Sequence, residues 1–313
     1  MASVLLTRRI PSSVLSHLTA HHSVDLYSGD VAIPRDELIA RVADKDALIC
    51  LLTDTVDAHV IAAAPALKVI ANIAVGYDNI DLAAAAARGI VVTNTPDVLT
   101  EAVAEFTWAL ILAVARRVAE GDRLVRAGAW KGWALDFMLG TELRGKQLGI
   151  IGAGRIGCAV AAKAPAFGMK VAVVSGLGRP IPDAASVSLD ALLVTSDVIS
   201  IHAPLTAQTR HMIDRRAFAR MKRSALLVNT ARGPIVDEAA LAWALGERLI
   251  AGAALDVYER EPEVHAALTT FENVLLAPHL GSATRETRTA MAELAVRNVL
   301  AVLAGQEPLT PVV

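Results

Sequence analysis

Two apolar rhythms alternate along the chain. Short runs rich in Val, Ile and Leu stand at 4–6, 24–27, 47–52, 69–73 and 90–93. Mostly apolar runs of this length, bounded by polar, glycine or proline residues, predict strands of a sheet with covered faces. Between them lie Ala-rich stretches with helical spacing, as at 34–42 and 82–88, the second followed by Gly89, a residue that readily takes the left-handed conformation past a helix end. Strands alternating with helices predict a small α/β domain with a mostly parallel sheet. From Thr100 to Ala119 the pattern becomes a nearly unbroken apolar face, with Thr100 placed to cap it and Gly121 just beyond its end. This predicts one long helix, buried against another domain, a partner subunit or both. A second alternating run begins at Gln147, with six strands predicted at 148–151, 170–174, 198–202, 225–229, 253–257 and 274–277, a doubly wound pattern. The last helical stretch, 286–303, is long enough to return to the first domain.

Composition narrows the class. The chain has 313 residues, 54% of them hydrophobic and 20% charged, enough for two domains with sizeable cores. A net charge of −2 offers no electrostatic footprint for nucleic acid or an anionic membrane. Mean hydropathy is high at +0.46, yet the most apolar segment, 108–115, ends at Arg116 and Arg117, well short of the roughly 20 residues that span a bilayer. Near the start of the chain Arg8 and Arg9 follow the apolar run, the reverse of a secretory signal. Cys50 and Cys158 give neither a disulfide framework nor a metal spacing. Cys158, at a helix start where a thiolate is favoured, reads as a small buried residue. His21 and His22 have no acid cluster at ligand spacing. A cytoplasmic protein without metal, membrane or nucleic-acid partner is expected.

Candidate chemistry begins after the strand at 148–151. Gly152, Gly154 and Gly157 follow it as G-x-G-x-x-G, with Arg155 and Ile156 between the last two and an Ala-rich helix beyond. The first glycine permits a tight turn, the second lets the backbone approach a pyrophosphate, and the third lets helix pack on strand. The helix N-terminus adds amide donors and partial positive charge. The pattern predicts a dinucleotide-binding loop, with an ordinary tight turn as the plainer alternative. A site that prefers NAD places an acid about 20 residues on, at the ribose 2′-hydroxyl. Here Ser175 ends the next strand, and the first acid is Asp183. Ser175 can donate to a 2′-phosphate and Arg179 can pair with it, so NADP(H) is favoured. NAD(H) stays open, because the loop is glycine-rich at Gly176 and Gly178 and Arg179 can equally be a solvated loop charge. The expected fold is α/β with two Rossmann-like domains. A doubly wound parallel-sheet dinucleotide-binding domain, 99–284, is inserted in a smaller flavodoxin-like substrate domain formed by 1–98 and 285–313.

Just beyond the carboxyl ends of the last three predicted strands stand Arg232, Glu261 and His279, positions at which open α/β sheets bind ligands. A lone Arg or Glu there is more often structural; three in successive loops suggest a reacting set. With these loops the chain resembles the D-isomer-specific 2-hydroxyacid dehydrogenases, and among them the glyoxylate/hydroxypyruvate reductases. The resemblance runs through Val75-Gly-Tyr-Asp-Asn-Ile-Asp81, Asn94-Thr-Pro-Asp-Val-Leu-Thr-Glu-Ala-Val-Ala-Glu105 and Gly149-Ile-Ile-Gly-Ala-Gly-Arg-Ile-Gly157. It continues in Asn229-Thr-Ala-Arg-Gly-Pro-Ile-Val-Asp237, Leu255-Asp-Val-Tyr-Glu259 and Pro278-His-Leu-Gly-Ser282.

The resemblance implies reduction of a small 2-oxo acid by hydride from a nicotinamide. Arg232 would hold the substrate and polarise its carbonyl. His279 would give the proton, and Glu261 would orient the ring and favour its protonated form. The backbone amides of Val75 and Gly76 would bind the substrate carboxylate. Asp256 would bond the nicotinamide carboxamide, with Thr230 and Gly281 on the same cofactor side and His202 adjacent. A homodimer is implied as well, the long helix at 100–119 supplying apolar surface for it. Trp130, Trp133 and Phe137 stay open between core packing and a place bordering the substrate cleft. Ala74 stands where related phosphite dehydrogenases carry Lys, so phosphite oxidation is not expected. Two other readings stay open: an NAD-dependent enzyme for a bulkier 2-oxo acid, and a corepressor-like dinucleotide sensor without activity.

Overall fold

In the computed structural model, which describes residues 1–176 and 181–312, the apolar runs pair into two parallel sheets. Each sheet belongs to one of two units, Met1–Leu99 with Thr284–Val313, and Thr100–Ala283. Gly178 and Arg179 lie outside the described residues. Among the described residues no helix is long and apolar enough to cross a membrane.

The first unit interleaves β1 (Ser3–Leu6), α1 (Ser12–Thr19), β2 (Ser23–Leu26), α2 (Arg35–Val42), β3 (Ala47–Cys50), α3 (Ala58–Ala62), β4 (Val69–Asn72), α4 (Leu82–Ala87) and β5 (Val91–Thr93). The strands pair in parallel in the order β2-β1-β3-β4-β5, the flavodoxin-like order. β3 and β4 are buried throughout, which explains why their sequences are apolar but for Asn72 at the end of β4. β3 stops at Cys50, before the predicted Leu52, because the Asp54 carboxylate accepts the Leu51 N–H at 2.8 Å and ends the ladder. Aspartates start two of the helices: Asp57 accepts from His59 and Val60, and Asp81 from Ala84. Gly89, at φ +64°, follows α4. α1 carries no legible period, since it buries only Val14 and Leu18.

The second unit begins with α5 (Thr100–Ala115) and α6 (Val118–Arg126), not with the single helix predicted over 100–119. The break has a tertiary cause. Thr141 N–H donates to the Ala115 carbonyl at 2.7 Å, and Gly140 packs so closely that a Cβ there would stand 2.5 Å from the same oxygen. Arg117 then turns at φ +55°, and its guanidinium pairs with Glu120. Thr100 is accordingly the first helical residue, and Gly121 lies inside α6.

Beyond them come β6 (Gln147–Ile151), α7 (Arg155–Lys163), β7 (Lys170–Val174), β8 (Ala184–Ser186), α8 (Leu189–Thr195), β9 (Val198–Ile201), α9 (Arg215–Arg220), β10 (Leu226–Asn229), α10 (Glu238–Gly246), β11 (Gly252–Leu255) and β12 (Val274–Leu276). The seven strands run parallel in the order β12-β11-β10-β9-β6-β7-β8. Six were predicted; β8 adds an edge strand of Ala-Ala-Ser, a sequence without β-branched residues to announce it. Strand order reverses between β6 and β9, the crevice where such sheets bind ligands. α5 packs on α7, with the Trp108 indole donating to Val160 O at 3.0 Å and stacking on Phe167. The chain ends in the first unit with α11 (Arg285–Leu303), capped by Thr284 and packed on β3, β4 and β5.

Candidate active site

The glycine loop closes by steric necessity. Gly152 leaves β6 at φ +105°, and a Cβ there would stand 2.6 Å from Ala203 N and from the His202 carbonyl carbon. A Cβ at Gly157 would stand 2.0 Å from Gly152 O, so only glycine lets α7 seat on the strand end. Gly154 is different. A Cβ there would meet nothing within 4 Å, which leaves a cradle beside the first amides of α7, those of Arg155 and Ile156. An anion-bearing dinucleotide fits such a cradle. Cys158, in the same turn, is half-buried and points its thiol at Ala153 O, 3.7 Å away.

Ser175, half-buried, follows the last residue of β7, and the first acidic residue after it in the chain is Asp183. At the end of β9, His202 lies against the glycine loop. Burial lowers its pKa from 6.5 to about 3, so the imidazole is neutral. It shares a 2.8 Å hydrogen bond with the Ser200 hydroxyl and brings no charge to the glycine loop.

Three loops carry the remaining groups. After β10, the buried Asn229 side chain accepts from Ala231 N–H at 3.0 Å and donates to Arg232 O at 2.9 Å, which fixes the Arg232 backbone from beneath. The Arg232 guanidinium donates to Ala231 O at 2.8 Å. Gly233 then touches the next loop, since a Cβ there would stand 1.8 Å from the Tyr258 carbonyl carbon. Thr230 meets Thr107 of α5 at 3.0 Å. Thr107 spends its own proton on Val103 O, 2.8 Å away, so Thr230 is the donor and keeps its lone pairs for a ligand.

After β11, Glu261 accepts Tyr258 N–H at 3.1 Å and faces His279 Nδ1 at 2.9 Å. A carboxylate only accepts, so Nδ1 carries the proton and Nε2 is left for exchange. Burial works against the Glu261 charge. The His279 hydrogen bond and charge, the Tyr258 amide and the charge of Arg232 overcome it and hold the carboxyl below its ordinary value. Arg232, Glu261 and His279 therefore share one electrostatic site. After β12, His279 adopts φ +54°, with its N–H on Asp256 O at 3.0 Å. The Asp256 carboxylate accepts the next two amides, Leu280 at 2.6 Å and Gly281 at 2.8 Å. Burial raises the Asp256 pKa in spite of these amides. Tyr258, pushed up to about 12 chiefly by burial, donates to Ala277 O at 2.9 Å and ties the second loop to the third.

In the first unit, Val75 and Gly76 follow β4. Asn94 and the buried Asn72 donate to their carbonyls at 2.8 and 2.9 Å. Among the described residues, neither of their amide N–H groups has an acceptor, so the turn is held by its carbonyls with two donors to spare. Core packing does not describe Trp130, Trp133 and Phe137: they are 56%, 81% and 41% exposed, on a stretch between α6 and β6 without helix or strand. Asn229, Thr107 and Tyr258 were not singled out in the sequence. Of these only Asn229 left a signal, as the polar residue ending an apolar strand.

Residues 108–281 match the model of the D-isomer specific 2-hydroxyacid dehydrogenase NAD binding domain. A glyoxylate reductase of Thermofilum pendens is 50% identical over 97% of this chain and 92% of its own. A Thermus thermophilus protein of known structure superposes with a TM-score of 0.95 at 47% identity, covering 99% of this chain and all of the other. The NADPH-dependent glyoxylate/hydroxypyruvate reductase of Sinorhizobium meliloti, solved with NADP and malonate, gives 0.88 at 35% identity, over 99% and 96% of the two chains.

Proposed function

Because the chain belongs to the D-isomer specific 2-hydroxyacid dehydrogenases, we propose that it is an NADPH-preferring reductase of small 2-oxo acids, glyoxylate and hydroxypyruvate, with His279 as proton donor. The observation that carries this is the Glu261–His279 pair at 2.9 Å under the charge of Arg232. Bound along the glycine loop, the dinucleotide supplies the hydride. Arg232 holds the substrate and draws charge onto its carbonyl oxygen. His279 delivers the proton from Nε2 as that oxygen becomes a hydroxyl, while Glu261 keeps the ring in register. Val75 and Gly76 offer their free amides to the substrate carboxylate, and Thr230, Asp256 and Gly281 line the nicotinamide side.

The preference for NADPH is supported by Ser175, where no carboxylate would repel a 2′-phosphate, and by the S. meliloti reductase, described as NADPH-dependent. An NAD-dependent dehydrogenase for a bulkier acid is the second reading. Initial rates with glyoxylate, hydroxypyruvate and branched 2-oxo acids, each with NADPH and NADH, decide between them. Highest kcat/KM with NADPH and the two small acids is expected. No turnover on any 2-oxo acid would sink the proposal and revive a dinucleotide sensor.

A homodimer belongs to the same reading. The stretch holding Trp130 and Trp133 also exposes Leu135 and Leu139, at 82% and 66%, and Val118 and Val125 on α6 are 56% and 59% exposed. So much clustered apolar surface is a mark of an interface.

A further inference from the structure

Glu238 is the first residue of α10 and only 6% exposed, and it forms no salt bridge among the described residues, a rare situation for a buried carboxylate. It does not cap its helix; Asp237 does, accepting Ala240 N–H at 2.9 Å. The Glu238 side chain reaches instead to the loop after β11. One oxygen accepts Glu259 N–H at 2.8 Å and the other accepts His265 N–H at 3.3 Å. A single buried carboxylate thus holds both ends of the segment 259–265, and Glu261 lies between them.

That segment has little else to fix it. It contains no helix or strand, and Arg260 to Glu263 are exposed. Glu263 N–H closes a turn on Arg260 O at 2.8 Å. Beside the same anchor, His211 Nε2 stands 2.5 Å from a Glu259 carboxylate oxygen, close but without hydrogen-bond geometry. Hydrogen bonds to an ionised acceptor are the stronger kind, and a buried amide deprived of its acceptor must find water or move. Glu261 meets His279 through one oxygen, so a small shift of the segment breaks the contact.

We propose that Glu238 is a positioning residue for proton transfer: its carboxylate pins the segment 259–265 so that Glu261 stays within hydrogen-bond distance of His279 Nδ1. Glu238 itself touches neither substrate nor cofactor in this role. The inference rests on the reading of His279 as proton donor.

A double-mutant cycle tests it. Wild type, E238Q, E238M, E261Q and the two double variants are compared by kcat and KM with NADPH and glyoxylate, and by thermal unfolding. E238Q keeps one acceptor oxygen, and E238M removes both. The expected loss in kcat is about tenfold for E238Q and of order 10²-fold for E238M, with KM for NADPH within about twofold of wild type. In the E261Q background the same substitutions should cost less than about twofold more, because the contact they protect is already gone. Should E238M fail to fold, the E238Q cycle decides alone. Losses that multiply in the E261Q background, or lowered stability with unchanged kcat, overturn the inference and leave the proposed function standing. An inactive wild type overturns both.

Discussion

Burial sets the charge state of His202, and this has a measurable consequence for stability. Unfolded, the ring titrates near 6.5; folded, it titrates at about 3. A lowered folded value means the stabilisation is complete above 6.5 and is lost as pH falls towards 3, because the unfolded chain takes the proton first. Within that window each pH unit costs up to about 1.4 kcal/mol. His202→Gln, which keeps a partner for Ser200, should flatten the acid side of the unfolding curve between about pH 6 and pH 4. An unchanged slope would show that other groups dominate there. His279 gives the complementary case at the same scale. His279→Ala should lower kcat of the order of 10²-fold or more, while fluorescence titration shows dinucleotide binding intact. Loss of binding would contradict the role given to the ring. The strand ends that carry Arg232, Glu261 and His279 were legible, because each residue follows an apolar run that predicts a strand and lies in or beside a motif of the resembled family. Tyr258, which ties two of those loops together, was not: its hydroxyl works on a backbone carbonyl that no side-chain pattern reports.

Among the elements, the turn between β6 and α7 separates two uses of glycine. Gly157→Ala must push a methyl into Gly152 O, so about 1–3 kcal/mol of stability should be lost along with cofactor binding. Gly154→Ala meets open space, and its φ of −80° is ordinary. It should leave the melting temperature unchanged and weaken the dinucleotide alone. Equal melting losses in both variants would refute that division. Local pattern was enough for this turn, and also for the buried strands, whose sequence is apolar because both faces are covered. It was not enough for α5, whose end is set when Thr141 captures the Ala115 carbonyl from a distant part of the chain. Nor did it reveal β8, which is paired only because β7 offers an edge.

For the molecule as a whole, the exposed indoles at Trp130 and Trp133 point to association. Sedimentation at micromolar concentration should give a dimer, and Trp133→Ser with Leu135→Ser should shift it towards monomer; a wild-type monomer would refute the homodimer. The aromatic content of this stretch was plain in the sequence, but composition does not say which way a side chain faces. The order in which the two units can form follows from their connectivity. Residues 100–283 make one unit from a continuous stretch, whereas the other needs α11, which packs on β3, β4 and β5. On the ribosome, the stretch translated first is therefore the one completed last. The inserted unit can close and hold a dinucleotide while β1 to β5 still wait for their covering helix, and protease digestion of stalled nascent chains should find 1–99 cleavable until α11 has emerged.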